Sequence, residues 1–157
     1  RRVDLAFTSL RERSDCEWVT LADDHLKAVL PENHRYAGLE RVPLALFEDE
    51  PFISSFHAYE YDMNHVLRLH RITPRTIVCR STEAFAVMAM VRKGLGVSLL
   101  FDRVIQAGGA HGLAVKDTEP AVPRRLGIAL ASRERASPAA KMFIEYAEDI
   151  VSGADSA

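Results

Sequence analysis

The chain has 157 residues, 48% of them hydrophobic and 27% charged, which suits one soluble globular unit or two small subdomains sharing a sheet and excludes wholesale disorder. A net charge of −2 gives no electrostatic footprint for a polyanion, because phosphate binding needs clustered Lys and Arg. No run of eighteen apolar residues and no apolar leader are present, and the opening Arg1-Arg2-Val3-Asp4 without a methionine reads as the start of a fragment whose upstream sequence is missing.

In chain order, Val3 to Phe7 alternates as a strand and is followed by a polar loop from Thr8 to Asp15. A second strand is expected over Glu17 to Leu21 and a third over His25 to Leu30, stopped by Pro31, which cannot donate to a ladder. Val42 to Phe47 is a short apolar segment, and Pro51-Phe52-Ile53-Ser54-Ser55 is a strand candidate. Met63, Val66, Leu67 and His70 predict a helix over Tyr61 to His70 that ends before Pro74. Thr76 to Cys79 is β-branched and strand-like. The following helix has Ser81 as its cap, Glu83 in its first turn and Gly94 at its close.

Gly96 to Leu100 then reads as a strand, Asp102 to Gln106 as a short helix, and Gly112 to Val115 and Arg125 to Ala131 as further strands. Ser137-Pro138 starts the last helix, with an apolar stripe of Met142 or Phe143, Tyr146, Ala147 and Ile150. Alternating strands and helices predict parallel strands with crossover helices, hence an α/β fold.

Known catalytic and cofactor patterns are absent from the sequence: no nucleophile elbow, no metal-binding H-E-x-x-H helix and no phosphate loop. Gly94 and Gly96 precede a strand instead of following one, which argues against a dinucleotide site. His57, His65 and His70 lack the i, i+4 spacing of a helical metal site, and Cys16 and Cys79 form no C-x-x-C pair. The expectation is no cofactor, no metal and no catalysis.

Open α/β sheets bind ligands where strand C-termini and helix N-termini converge. Small hydroxyl residues follow three strands at such ends: Thr8 and Ser9, Ser54 and Ser55, and Ser81 and Thr82. Free amides and the positive dipole end at a helix start favour an anion. The bland alternatives are a plain cap for Ser81 and a solvated guanidinium for Arg80.

The order of motifs resembles the effector-binding domain of LysR-type transcriptional regulators across nearly the whole chain. Val3-Asp4-Leu5-Ala6 is similar to the family's G-x-L-D-L-A-I strand, and Leu26 to Leu30 with Pro31, His34, Tyr36 and Ala37 to its L-x-L-V-x-P-x-x-H-P-L-A segment. Val42-Pro43-Leu44 with Glu50-Pro51-Phe52-Ile53 resembles V-x-L-x-D-L-x-x-x-P-F-I; Val91 to Leu100 resembles V-A-A-G-L-G-I-A-L-L-P; and Ser137-Pro138-Ala139 resembles the terminal S-P-A start. Arg35 and Phe101 depart from the pattern, each standing where a proline is usual.

The resemblance implies two Rossmann-like subdomains of the type 2 periplasmic-binding-protein fold. Residues 1–31 and 117–157 would form an incomplete first subdomain, and 32–116 the second. A small metabolite, anionic or neutral, would bind in the inter-subdomain cleft, touching Thr8, Ser9, Ser54, Ser55, Phe56, Ser81 and Thr82. The full protein would be a cytoplasmic bacterial homodimer or tetramer, without a membrane partner, that reaches DNA through a missing N-terminal winged helix-turn-helix. The helix over Thr82 to Lys93 would carry pairing surface on Phe85, Val87, Met88, Met90 and Val91, residues that serve equally well as intrachain core. Alternatives on the same fold are a solute-binding protein for transport and an enzyme such as a dehydratase.

Overall fold

The computed structural model describes residues 3–10, 15–55 and 66–154. In chain order the elements are β1 (Leu5–Ser9), β2 (Glu17–Pro31), β3 (Arg41–Pro43), a 3-10 turn (Leu44–Glu48), β4 (Pro51–Ser55), β5 (Thr76–Ser81), α1 (Ala84–Arg92), β6 (Ser98–Phe101), α2 (Asp102–Gly108), β7 (Leu113–Glu119), β8 (Pro123–Leu130) and α3 (Pro138–Ala154). Of the helix expected over Tyr61 to His70, residues 66–69 are helical, His70 lies in the turn that follows, and residues 61–65 lie outside the described residues. The chain divides into two compact units, Arg1–Asp24 with Pro123–Ala157, and His25–Val122.

In the first unit β1 runs antiparallel to β8, from Leu5 opposite Leu130 to Ser9 opposite Leu126, and β8 in turn pairs with β2. Gly127 is required by close approach: a Cβ there would lie 2.1 Å from the carbonyl oxygen of Val19 and 2.7 Å from the Trp18 ring. The core consists of Val19, Ile128, Leu130, Ala136, Ala140 and Ile144. Ser137 caps α3 as expected, its Oγ accepting the N–H of Ala140 at 3.3 Å.

The buried face of α3 differs from the expected stripe. Ala140, Ile144 and Ala147 pack inward, whereas Met142, Phe143, Tyr146 and Ile150 are exposed, Phe143 meeting the Phe7 ring edge-on at 5.7 Å. Both sets have helical spacing, so periodicity alone does not choose between them. The alanines let the helix axis lie close to the sheet, and Ile144 fills the remaining space.

A second difference concerns β2. The two strands expected around Ala22-Asp23-Asp24 are one continuous strand of 15 residues. Aspartate is depleted in strands, which is why the sequence suggests a break there. Asp24 instead points into a buried ion pair, accepting from Arg124 Nε at 3.1 Å and Nη2 at 2.8 Å on one carboxylate oxygen.

In the second unit β6 and β7 both run antiparallel to β2, and β3 lies parallel to β7. Parallel pairing of the expected kind joins β4 to β5. The strands flanking β2 therefore depart from an all-parallel sheet, since β6 and β7 return alongside it. Both faces of β6 are covered: Leu99 and Phe101 join a cluster with Leu26, Leu30, Leu44, Phe47 and Phe52, while Leu100 joins Val29, Ile53, Val87, Met88, Val91 and Ile105. Phe101, where the family usually has proline, remains in the strand opposite Leu26 and is buried.

Lys27 and Asp117 are direct partners across β2 and β7 and form a salt bridge. The hydrogen bond from Lys27, with the charges of Lys27, Arg41 and His25, holds the Asp117 carboxyl below the usual carboxylate range against an opposing effect of burial. A depressed folded-state pKa stabilises the fold above the unfolded value of about 3.9 and loses that contribution as pH falls through the lower folded value. Asp117 is about half exposed, so the pair contributes no more than about 1 kcal/mol. In an NMR titration, Lys27→Met should return the Asp117 carboxyl toward about 3.9. For the helix, Ile144→Ala should lower unfolding free energy by about 2–5 kcal/mol in denaturant titration, whereas Tyr146→Ala should stay within about 0.5 kcal/mol.

Candidate functional site

The second unit gathers four of the expected residues at one end of a parallel strand pair. In β4 and β5, Pro51 lies opposite Thr76, Ser54 opposite Arg80, and Ser55 opposite Ser81, after a register shift between Phe52 and Ile53. Strand side chains alternate between faces, so Phe52 buries in one apolar cluster and Ile53 in the other, while the shift leaves Val78 as the extra residue on β5. The strand then emerges with Ser54 half-buried at its C-terminal end.

Three features hold β4 in place from the β6 side. Val97 donates to the Pro51 carbonyl at 2.8 Å, and Ile53 donates to that of Val97 at 2.9 Å. The buried Ser98 hydroxyl donates to the Ile53 carbonyl at 2.8 Å, next to Ser54. Gly96 admits this approach, since a Cβ there would lie 2.4 Å from the Pro51 oxygen. Gly94 serves a different purpose, ending α1 at φ +75° by donating to Val91 at 2.8 Å while Leu95 donates to Met90 at 3.2 Å.

Ser81 is not the cap of α1. It is the last residue of β5, and its Oγ accepts the N–H of Glu83 at 3.1 Å. This turn, through exposed Thr82, brings the chain from the strand into α1, whose N-cap position is Glu83 without a side-chain cap bond. Hydroxyls and the helix's first amides thus lie at the same end of the pair. Arg80 is exposed beside them.

Thr8 and Ser9 are the last residues of β1 in the first unit, opposite Gly127 and Leu126. Thr8 is exposed and Ser9 half-buried. Phe56 lies outside the described residues. Along α1, Val87, Met88 and Val91 are core residues, Met90 packs partly against them, and Phe85 is exposed together with Ile77 and Val78 of β5.

Sequence reasoning missed the acidic segment at the base of β4. Glu50 is buried and accepts from Arg35 Nε at 3.0 Å, with His34 Nε2 3.4 Å from its other oxygen. Arg35 also lies over the Tyr36 ring, 4.8 Å from its centroid. Glu50 keeps the Arg35 guanidinium more firmly protonated than usual. Glu48 accepts from the Thr73 amide at 3.0 Å, and Asp49 pairs with Arg75 at 3.0 Å, tying the start of β5 to that of β4. The signal in the sequence was the charged run Glu48-Asp49-Glu50 directly before a buried strand, together with the unusual Arg35. Among the described residues no group of three or more His, Cys, Asp or Glu is placed to hold a metal, and no helix is long and apolar enough to cross a membrane.

This mixed α/β architecture is that of type 2 periplasmic-binding-protein-like domains. The chain belongs to the LysR substrate binding domain family, whose model matches residues 1–151. It is 26% identical over 153 residues to the uncharacterized HTH-type transcriptional regulator YvbU of Bacillus subtilis (strain 168), a match that covers 96% of this chain and 51% of YvbU. The chain thus spans about half the length of that curated relative.

Among solved structures it is similar to the CcmR regulatory domain of Synechocystis PCC6803 in complex with 2-PG, with TM-score 0.79 and 20% identity over 96% of this chain and 74% of that one. It is also similar to the effector-binding domain of QuiR in complex with shikimate, with TM-score 0.76 and 25% identity over 96% and 72% of the two chains. Gly96→Ala should displace β4 and lower stability by about 1–3 kcal/mol, read as a lower denaturant midpoint with unchanged slope; a wild-type midpoint would show that the Pro51 backbone yields without cost.

Proposed function

We propose that this chain is the effector-sensing, dimerising part of a LysR-type transcriptional regulator, and that its ligand is a small anionic metabolite. The ligand would bind beside Ser54, Ser55, Ser81 and Thr82 of the second unit, and Thr8, Ser9 and Phe56 are proposed as further contacts from the family resemblance alone. The observation that carries this reading is the in-register end of β4 and β5, where Ser55 lies opposite Ser81 and the chain turns directly into α1. Strand C-termini and a helix start on one side suit a carboxylate, the dipole contributing typically ~0.3–1 kcal/mol and hydroxyls adding orientation. The ligand named for QuiR, shikimate, is itself a carboxylate.

No chemistry on the ligand is required. A metabolite that binds one conformation of the regulator more tightly than another would shift the population toward it, and that preference would drive the switch. A micromolar effector has ~8 kcal/mol of standard binding free energy, of which only the difference between arrangements does regulatory work. The full regulator would act in the cytoplasm as a homodimer or tetramer and reach DNA through a winged helix-turn-helix outside this chain. The exposed apolar side chains of Ile77, Val78 and Phe85 fit this reading, since subunit pairing would give such residues a surface to cover.

Isothermal titration of a panel of small carboxylates, beginning with shikimate, tests the proposal. Ser54→Trp should weaken the best-binding panel member by about tenfold or more, ~1.4 kcal/mol, while leaving the melting temperature unchanged. Undiminished affinity in that variant removes Ser54 from the site, and binding confined to uncharged analogues overturns the anionic preference.

A further inference from the structure

Within the second unit, β4 meets the β6 segment at an isolated parallel bridge, Phe52 opposite Val97. Beyond it the segment runs beside β2, with Ser98 opposite Val29, while β4 continues beside β5, with Ser54 opposite Arg80. The Ile53 amide donates to the Val97 carbonyl at 2.9 Å. Amide and carbonyl of one residue point to the same side of an extended strand, so the Ile53 carbonyl also faces β6. In a continuing ladder a backbone amide would take it. Here the donor is the Ser98 hydroxyl, at 2.8 Å, on a residue that is 0% exposed.

We propose that Ser98 is a positioning residue of the effector site: its hydroxyl fixes the plane of the peptide joining Ile53 to Ser54, and so the direction in which Ser54 leaves the strand. This rests on the reading of Ser54 as a ligand contact and adds the buried residue that aims it. The peptide is planar, its carbonyl belonging to Ile53 and its amide to Ser54, so a bond at one end orients the other. A buried hydroxyl is unfavourable unless it is hydrogen-bonded, and alanine would fill most of the same space, so packing alone does not account for serine at this position. Without the hydroxyl, the Ile53 carbonyl loses its donor from β6 in a region closed to water, and the end of β4 is held from the β5 side only. Binding side chains act within about 0.5 Å of their productive placement, which a strand end tied from one side does not guarantee.

Heteronuclear NMR and amide hydrogen exchange on the effector-free chain test the tie directly. Ser98→Ala should move the Ser54 and Arg80 amide resonances and speed Ser54 exchange by about tenfold, while Leu99 and Leu100 in β6 stay protected. Ser98→Thr, which keeps the hydroxyl, should return both toward wild type. Val42→Ala in β3 truncates a buried core residue and leaves the Ser98 bond intact, so it controls for general loss of stability and should not single out Ser54. Wild-type resonances and exchange at Ser54 in Ser98→Ala overturn the proposal, as does an equal response at Ser54 in Val42→Ala. The ligand role is read separately, by titration with the best-binding carboxylate of the panel: Ser98→Ala should lose about fivefold in affinity and Ser98→Thr should recover it. A displaced Ser54 amide with undiminished affinity would overturn the reading of Ser54 as a ligand contact, and with it the place of Ser98 in the site.

Discussion

A single extended run, Glu17–Pro31, serves the cores of both units, and the difficulty it has to solve is a carboxylate in its middle. Val19 belongs to the first unit's core, while Leu26, Val29 and Leu30 are buried in the second. Asp24 lies between them at 2% exposure. An unpaired buried carboxylate costs several kcal/mol in lost hydration. Arg124, arriving on the returning strand, supplies the opposite charge and two donors, and the strand stays extended through a point where composition alone suggests a loop. The pairings of β6, β7 and β8 with this strand all follow from its continuity.

The candidate site depends on that frame at one remove. Packing of β6 against β2 positions Val97 and Ser98, whose backbone and hydroxyl groups hold β4. At its other end β4 is anchored by Glu50, held between His34 and Arg35. Ser54 is therefore presented by a strand fixed at both ends, and a side chain so placed loses little conformational freedom when a ligand arrives. The apolar residues left exposed on β5 and α1 lie outside this framework and contribute little to the second unit's own core.

Much of this was legible in the chain itself. Most of the elements appear close to where periodicity puts them, because side-chain alternation and helical spacing are local properties. Gly94 and Ser137 terminate and start their helices for reasons contained within a few residues. The ordered series of short motifs pointed to the family that the match over residues 1–151 establishes. Thr8, Ser9, Ser54, Ser55, Ser81 and Thr82 lie at or just after the ends of β1, β4 and β5, a placement legible in the sequence because strand ends and hydroxyl residues are both local features.

What tertiary structure decided were the choices that local rules leave degenerate. Two helical stripes compete on α3, and the smaller one is buried because its alanines permit close approach to the sheet. Ala22-Asp23-Asp24 stays in a strand because Arg124, a hundred residues away, meets Asp24. Ser81 turns the chain at a strand end instead of capping a helix, since α1 starts at Ala84. Gly96 is needed for a neighbour, Pro51, that its own segment does not contain. Sequence alone determined the kind of most elements and pointed to the family, because these rest on residues near one another in the chain; the segment 42–47, read only as apolar, became β3 and a 3-10 turn in the fold. The folded molecule decided faces, pairings and partners, because these rest on contacts between residues that only folding brings together.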